Sequence, residues 1–181
     1  MLNDAYLVPS GPVCIRWPKT AAPSVSADRV GSGISARLER SGSGVCLIGV
    51  GKMLAAACEA ADLLAEVGIQ ATVWDPRVVK PLDPLMLENA SRHDLVVTIE
   101  DGLRDGGIGS SIALALEDTP AKVQVLGVPT QYIQHGRPDE ILSSLGLDGF
   151  GVAATIKDRL NSLTSDHSAV SAPDHTITGS G

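Results

Sequence analysis

From Val45 onward, short continuous apolar runs alternate with stretches whose apolar residues recur every three or four positions. That alternation constrains the fold more than any other feature. Residues 45–50 form an unbroken apolar run closed by Gly51, the pattern of a parallel strand buried on both faces. The next stretch, 52–67, places Met53, Leu54, Ala57, Ala61, Leu64 and Val67 at helical spacing and Glu59, Asp62 and Glu66 on the other face. Gly68 follows as a C-cap glycine. A second strand is predicted over 71–74, and Asp83 with Pro84 marks the start of a helix to about Arg92. Further strands are predicted over 95–99 and 123–126, and helices over 110–117, 137–145 and 151–163. Residues 34–39 read as an edge strand ended by Ser41-Gly42-Ser43-Gly44. The pattern predicts an α/β domain over 33–163, three layers with a mostly parallel sheet and helices on both faces. Aromatic residues make up only 3% of a chain that is 44% hydrophobic. Its core must therefore be built from Ala, Val, Leu and Ile, which suits strands covered closely by Ala-rich helices.

The two ends read differently. Val13-Cys14-Ile15-Arg16, between Pro12 and Pro18, has the character of a short strand, and a lone strand cannot bury itself. Residues 1–19 therefore read as the last strand of a preceding sheet, and 20–32, small and polar, as a linker. After Leu163 the composition turns to Ser, Thr, Asp, His, Gly and Pro, which predicts a disordered tail over 164–181. The formal charge is −7, with no cluster of Lys and Arg, and this argues against a nucleic-acid surface. Met1-Leu2-Asn3-Asp4 lacks the basic and apolar regions of a signal peptide, and no apolar run approaches bilayer length. Cys14, Cys46 and Cys58 lack metal-site spacing. Together these features imply a cytoplasmic protein with no membrane partner.

Candidates for chemistry are few. Gly49-Val50-Gly51 lies between a strand and a helix, where a dinucleotide fingerprint would stand, but position 54 is Leu54 rather than glycine. Lys52 is not followed by the Ser or Thr of a phosphate loop. A tight turn bringing the helix back onto the sheet accounts for the glycines. Glu100-Asp101 closes the third parallel strand, where ligand crevices of open α/β sheets lie. The amides of the glycine-rich stretch 102–109 offer an anion site at a helix start. Adjacent side chains at a strand end point in opposite directions, so capping the next helix or pairing with a basic residue is the commoner outcome. No His pair has metal-ligand spacing, and no G-x-S-x-G elbow is present. Arg16, beside Trp17-Pro18-Lys19, can present its planar fork to a phosphate or carboxylate, although spacing alone favours a surface salt bridge.

Five segments, taken in order, resemble the 1-deoxy-D-xylulose-5-phosphate synthase family over roughly residues 12–162. They are Pro12-Val13-Cys14-Ile15-Arg16-Trp17-Pro18-Lys19, Asp75-Pro76-Arg77-Val78-Val79-Lys80-Pro81-Leu82-Asp83, Val97-Thr98-Ile99-Glu100-Asp101 with Gly106-Gly107-Ile108-Gly109-Ser110, Ile133-Gln134-His135-Gly136, and Leu145-Gly146-Leu147-Asp148. The resemblance implies a transketolase-type C-terminal domain. Its parent reaction is the decarboxylating condensation of pyruvate with glyceraldehyde 3-phosphate on thiamine diphosphate and magnesium, feeding isoprenoid precursor synthesis. The Gly-Asp-Gly signature that holds this cofactor in the family is absent from the sequence. The resemblance therefore implies no cofactor, metal or catalytic residue in this chain, and a domain inactive alone. It implies that Arg16 matches the family's substrate-phosphate arginine, although Thr20 stands where the family pattern has glycine. The implied partner is a second copy in a homodimer, or a polypeptide carrying the missing thiamine-diphosphate domains as in a split enzyme. A small-ligand binding module using Gly49-Val50-Gly51 or the Gly106 loop is the rival from another class.

Overall fold

A computed structural model describes residues 2–8, 11–17, 24–26, 30–31 and 33–170, with side chains described to residue 165. Most of the 20–32 linker, the Pro18-Lys19 end of the Arg16 motif and residues 171–181 of the tail lie outside the described residues.

Four strands run parallel because helices carry the chain back between them. In order they are β2 (Val45–Gly49), β3 (Ala71–Asp75), β4 (Leu95–Leu103) and β5 (Lys122–Val128). The edge strand β1 (Arg37–Arg40) pairs antiparallel with β3, and the sheet order is β1-β3-β2-β4-β5. Successive residues of a strand face opposite sides, so β2 divides its side chains between two cores. Val45 and Leu47 meet α2 (Leu54–Ala65) and α6 (Gly149–Val170) through Ala57, Ala61, Leu64, Val152 and Ile156. Cys46 and Ile48 meet α3 (Pro84–Ala90) and α4 (Ile108–Ala115) through Met86, Ala90 and Ile112. A short α5 (Pro138–Ser144) lies before α6, and α1 (Leu2–Tyr6) stands at the start of the chain. The three-layer, mostly parallel architecture predicted from the sequence is present.

The caps explain why the family-like motifs read as they do. Asp83 accepts the Leu85 and Met86 amides at 2.8 and 3.4 Å, with Pro84 in the first turn of α3, as the sequence predicts. Its second oxygen accepts the Ala36 amide at 2.7 Å and so ties the entry to β1 onto α3. Arg77, with φ of 53°, donates from Nη1 to the Ser35 carbonyl at 2.7 Å. A Cβ on Gly31 would lie 2.5 Å from the Arg77 guanidinium carbon, so glycine is what lets the chain cross that group. Gly146, at φ of 68°, ends α5; Leu147 is buried; and Asp148 caps α6 through the Gly151 amide at 2.8 Å.

Several boundaries depart from the sequence expectations. Residues 12–17 take no regular structure, since no described strand of this chain lies beside them to complete a ladder. The edge strand is shorter and later than 34–39. Helix α6 continues to Val170, where a disordered tail was expected from 164. Thr164 and Ser165 donate to the Asn161 carbonyl at 2.8 and 2.9 Å, so polar side chains accompany the helix beyond its apolar face. Strand β4 runs on to Leu103 instead of stopping at Ile99.

The Asp148 carboxyl is held below its ordinary value of 3.8 by the Ser143 hydroxyl and then by the Gly151 amide. A lowered folded-state value means the contribution is present above 3.8 and lost as pH falls through the folded value. Asp148→Ala is expected to cost about 0.5–2 kcal/mol at neutral pH by loss of the cap. In a pH series of urea unfolding curves, the gap between variant and parent should narrow below 3.8. A gap that persists unchanged to the acid end would contradict the assignment.

Candidate functional site

The carboxyl ends of β2, β4 and β5 form the edge where an open parallel sheet places its ligands. At this edge β4 is irregular: its register with β5 shifts between Ile99 and Leu103, across Glu100, Asp101 and Gly102. Such an irregularity re-aims side chains. Glu100 turns beneath α4 and is 5% exposed, accepting the Gly109 amide at 2.8 Å and the Ile108 amide at 3.2 Å. Asp101 faces the other way, toward Arg16 and Lys52. The two carboxylates therefore do not act as an acid–base pair.

Arg16 donates from Nη1 and Nη2 to the two Asp101 oxygens at 3.2 and 3.3 Å, a fork-on-carboxylate contact spanning 85 positions of sequence. Lys52 Nζ lies 3.5 Å from Asp101 Oδ2. The Arg16 side chain is 78% exposed and that of Asp101 17%. At such exposure the pair is worth less than about 1 kcal/mol, so it orients Arg16 more than it stabilises the fold. Sequence reasoning anticipated a salt bridge for Arg16 but not its partner. Lys52 lacks the following Ser or Thr of a phosphate loop, and only the fold brings it to Asp101.

The remaining sequence candidates resolve into structure. Gly49 lets α2 return onto the sheet: a Cβ there would meet the Leu54 Cα at 2.7 Å. The close approach that a third glycine would supply thus occurs against Leu54 itself. The amides at the start of α4 serve the Glu100 carboxylate, so the Gly106 loop offers them to no outside anion. Gly106 instead donates to the Ser110 hydroxyl at 3.2 Å, and that hydroxyl donates to the Arg104 carbonyl at 3.0 Å. His93 is buried with Nε2 3.1 Å from Thr72 Oγ1 and Nδ1 3.1 Å from the Asn89 carbonyl. His135 is exposed in the loop before α5. Among the described residues no three His, Cys, Asp or Glu side chains converge as metal ligands would. No described helix is long and apolar enough to cross a membrane. An open apolar groove of about 650 Å³ lies between α1 and residues 13–15, lined by Leu2, Ala5, Tyr6, Leu7, Val13 and Ile15.

Glu100→Ala should leave two helix-start amides without their acceptor and cost about 1–3 kcal/mol. Glu100→Gln, which keeps a carbonyl oxygen, should lose less. Denaturant unfolding of the two variants checks the order, and equal losses would contradict the capping role.

Comparison with known proteins fits this geometry. The family described as transketolase, C-terminal domain, matches residues 35–152. The 1-deoxy-D-xylulose-5-phosphate synthase 1 of Kitasatospora griseola is 42% identical over 161 residues, covering 84% of this chain and 24% of that protein. The 1-deoxy-D-xylulose-5-phosphate synthase of Thioalkalivibrio sulfidiphilus is 38% identical over 189 aligned positions, covering 98% of this chain and 28% of that protein. A solved split-gene transketolase, described as an inactive β4 tetramer, superposes with a TM-score of 0.71 at 31% identity, covering 79% of this chain and 48% of that one. The chain spans about a quarter of the length of the curated relatives it matches. With sheet order, caps and family match in agreement, the chain belongs to the transketolase C-terminal domain family, and its curated relatives are 1-deoxy-D-xylulose-5-phosphate synthases.

Proposed function

We propose that this chain works as the C-terminal domain of a 1-deoxy-D-xylulose-5-phosphate synthase-like enzyme and is inactive alone. The observation that carries this is an alignment along 98% of the chain with only 28% of a relative. The parent reaction joins pyruvate to glyceraldehyde 3-phosphate with loss of carbon dioxide on thiamine diphosphate and magnesium. The described residues do not fit that cofactor, because the Glu100 carboxylate fills the α4 start and Leu54 closes the Gly49 turn. The cofactor and its metal, in this reading, belong to other domains. In this reading residues 1–19 are the end of the preceding domain, 20–32 the linker and 33–163 the C-terminal domain. Arg16 contributes its guanidinium to the substrate phosphate. The apolar groove between α1 and residues 13–15, with Tyr6 90% exposed, supports a missing neighbour. A cytoplasmic location is part of the same reading.

A second reading makes the chain a separate subunit of a split enzyme. Its similarity to a chain of a split-gene transketolase, at 31% identity and a TM-score of 0.71, favours this. Both readings meet in one assay of carbon dioxide release from pyruvate with glyceraldehyde 3-phosphate, thiamine diphosphate and magnesium. The purified chain alone is expected to give no turnover. Addition of the amino-terminal three quarters of the Kitasatospora griseola relative is expected to restore it. Turnover by the chain alone would sink the proposal, and co-purification with an endogenous thiamine-diphosphate polypeptide would select the split form.

A further inference from the structure

The two edges of the sheet are built differently. β1 is short, carries Arg37, Glu39 and Arg40, and breaks register with β3 between Leu38 and Arg40. Charge, shortness and a bulge are the devices by which an edge refuses a further strand. β5 is longer, Lys122–Val128, and after Lys122 reads Val-Gln-Val-Leu-Gly-Val. The Lys122 amide donates to the Asp94 carbonyl at 2.9 Å and the Val128 carbonyl accepts the Arg104 amide at 2.8 Å, both toward β4. Backbone direction alternates along a strand, so Val123, Val125 and Gly127 present their amides and carbonyls outward. No described strand lies on that side. The Val125 carbonyl takes the Gln124 side-chain amide there, at 3.4 Å.

The helix that follows does not lead a further strand to this edge. The chain passes from β2 to β3 over the face of α2, and in the opposite direction, from β3 to β4 to β5, over the face of α3 and α4. These share one hand, the right-handed crossover of parallel sheets. α6 lies on the α2 face, so a parallel strand beyond β5 would need a left-handed connection. The strand that fits the edge therefore comes from another molecule, and β5 is complementary to itself. Antiparallel pairing about a two-fold axis at Val125 sets Val125 against Val125 and Val123 against Gly127, all outward-facing residues. Lys122 then lies opposite Val128, which keeps the two lysines at opposite ends of the ladder. Each meets the end where Asp105 accepts the Thr130 hydroxyl at 3.1 Å, so the charges are complementary at both ends. Beside the edge, on the α6 face, a groove of about 180 Å³ is lined by Gln124, Leu126, Leu145 and Leu147, with Arg104 and Pro129 at its rim. In this register it receives Gln124 of the second copy.

We propose that the outer edge of β5 is the docking surface for a second copy of this chain, joined strand to strand into one continuous sheet. The proposal goes beyond the domain reading above and does not depend on it.

Sedimentation velocity of the full chain across micromolar concentrations, with hydrogen exchange of the β5 amides, tests it. The parent is expected to dimerise, and the Val123, Val125 and Gly127 amides to gain protection as concentration rises. Val125→Pro removes an outward amide and leaves the β4 ladder intact. It should weaken association by roughly thirtyfold or more, one backbone hydrogen bond being lost from each copy. Lys122→Glu should weaken it by roughly tenfold, and Lys122→Glu combined with Asp105→Lys should restore it. Unfolding midpoints identify a variant that fails to fold; should Val125→Pro do so, the charge exchange decides. A chain monomeric throughout, with those amides exchanging freely, would overturn the proposal. A dimer indifferent to Val125→Pro and to Lys122→Glu would also overturn it, by placing the contact elsewhere. Protection of Val125 that arises only on adding the amino-terminal three quarters of a relative would give the edge to the missing domains and overturn the second copy as its occupant.

Discussion

The burial of β2 and β4 on both faces is the constraint on which the rest depends. Val45, Cys46, Leu47 and Ile48 are all fully buried, as are Val96, Val97 and Ile99 beside them. A strand pair closed on both sides needs two helical layers, and small residues let those helices approach it closely. Ala57, Ala60 and Ala61 supply this on α2, Ala153 on α6 and Ala90 on α3. With so few aromatic residues available, close backbone approach replaces bulk as the way to fill space. Gly49 is the tightest instance, set against Leu54 at the first turn after the strand.

That packing decides what the carboxyl edge can do. Because α2 and α4 return so closely, the two glycine-rich turns are consumed in making the return. Val50 donates to the Ile99 carbonyl at 2.9 Å, locking the ends of β2 and β4 together. Beyond that lock β4 loses register, and its next two side chains part. Glu100 serves the helix, while Asp101 is left at the edge facing two cations. One carboxylate therefore caps a helix while its neighbour pairs with two cations, and the difference comes from the turn of one residue along a strand.

Much of the fold was legible in the sequence, because it is written in local signals. The apolar run at 45–50, the helical spacing after Lys52, Asp83 before Pro84 and Gly68 after α2 each correspond to the element or cap observed. Gly68 takes φ of 83°, as a C-cap glycine must. The opposite orientation of Glu100 and Asp101 followed from strand geometry alone. Features needing distant partners were not legible. Strand order, the pairing of β1 with β3, and the contact of Arg16 with Asp101 depend on the assembled sheet. Val67 has helical spacing yet is 56% exposed, because α2 ends at Ala65 and the chain turns away. The extension of α6 to Val170 carries no apolar spacing that would signal it; where it begins, Thr164 and Ser165 donate to the Asn161 carbonyl.

The central claim is that residues 12–17 are built for a sheet that another polypeptide segment provides. Hydrogen exchange of their amides tests it most directly, in the chain alone and in its mixture with the amino-terminal three quarters of a relative. The account predicts rapid exchange in the isolated chain, where these residues have no regular structure, and strong protection in the mixture. Protection already present in the isolated chain, or none in a mixture that turns over pyruvate, would contradict it.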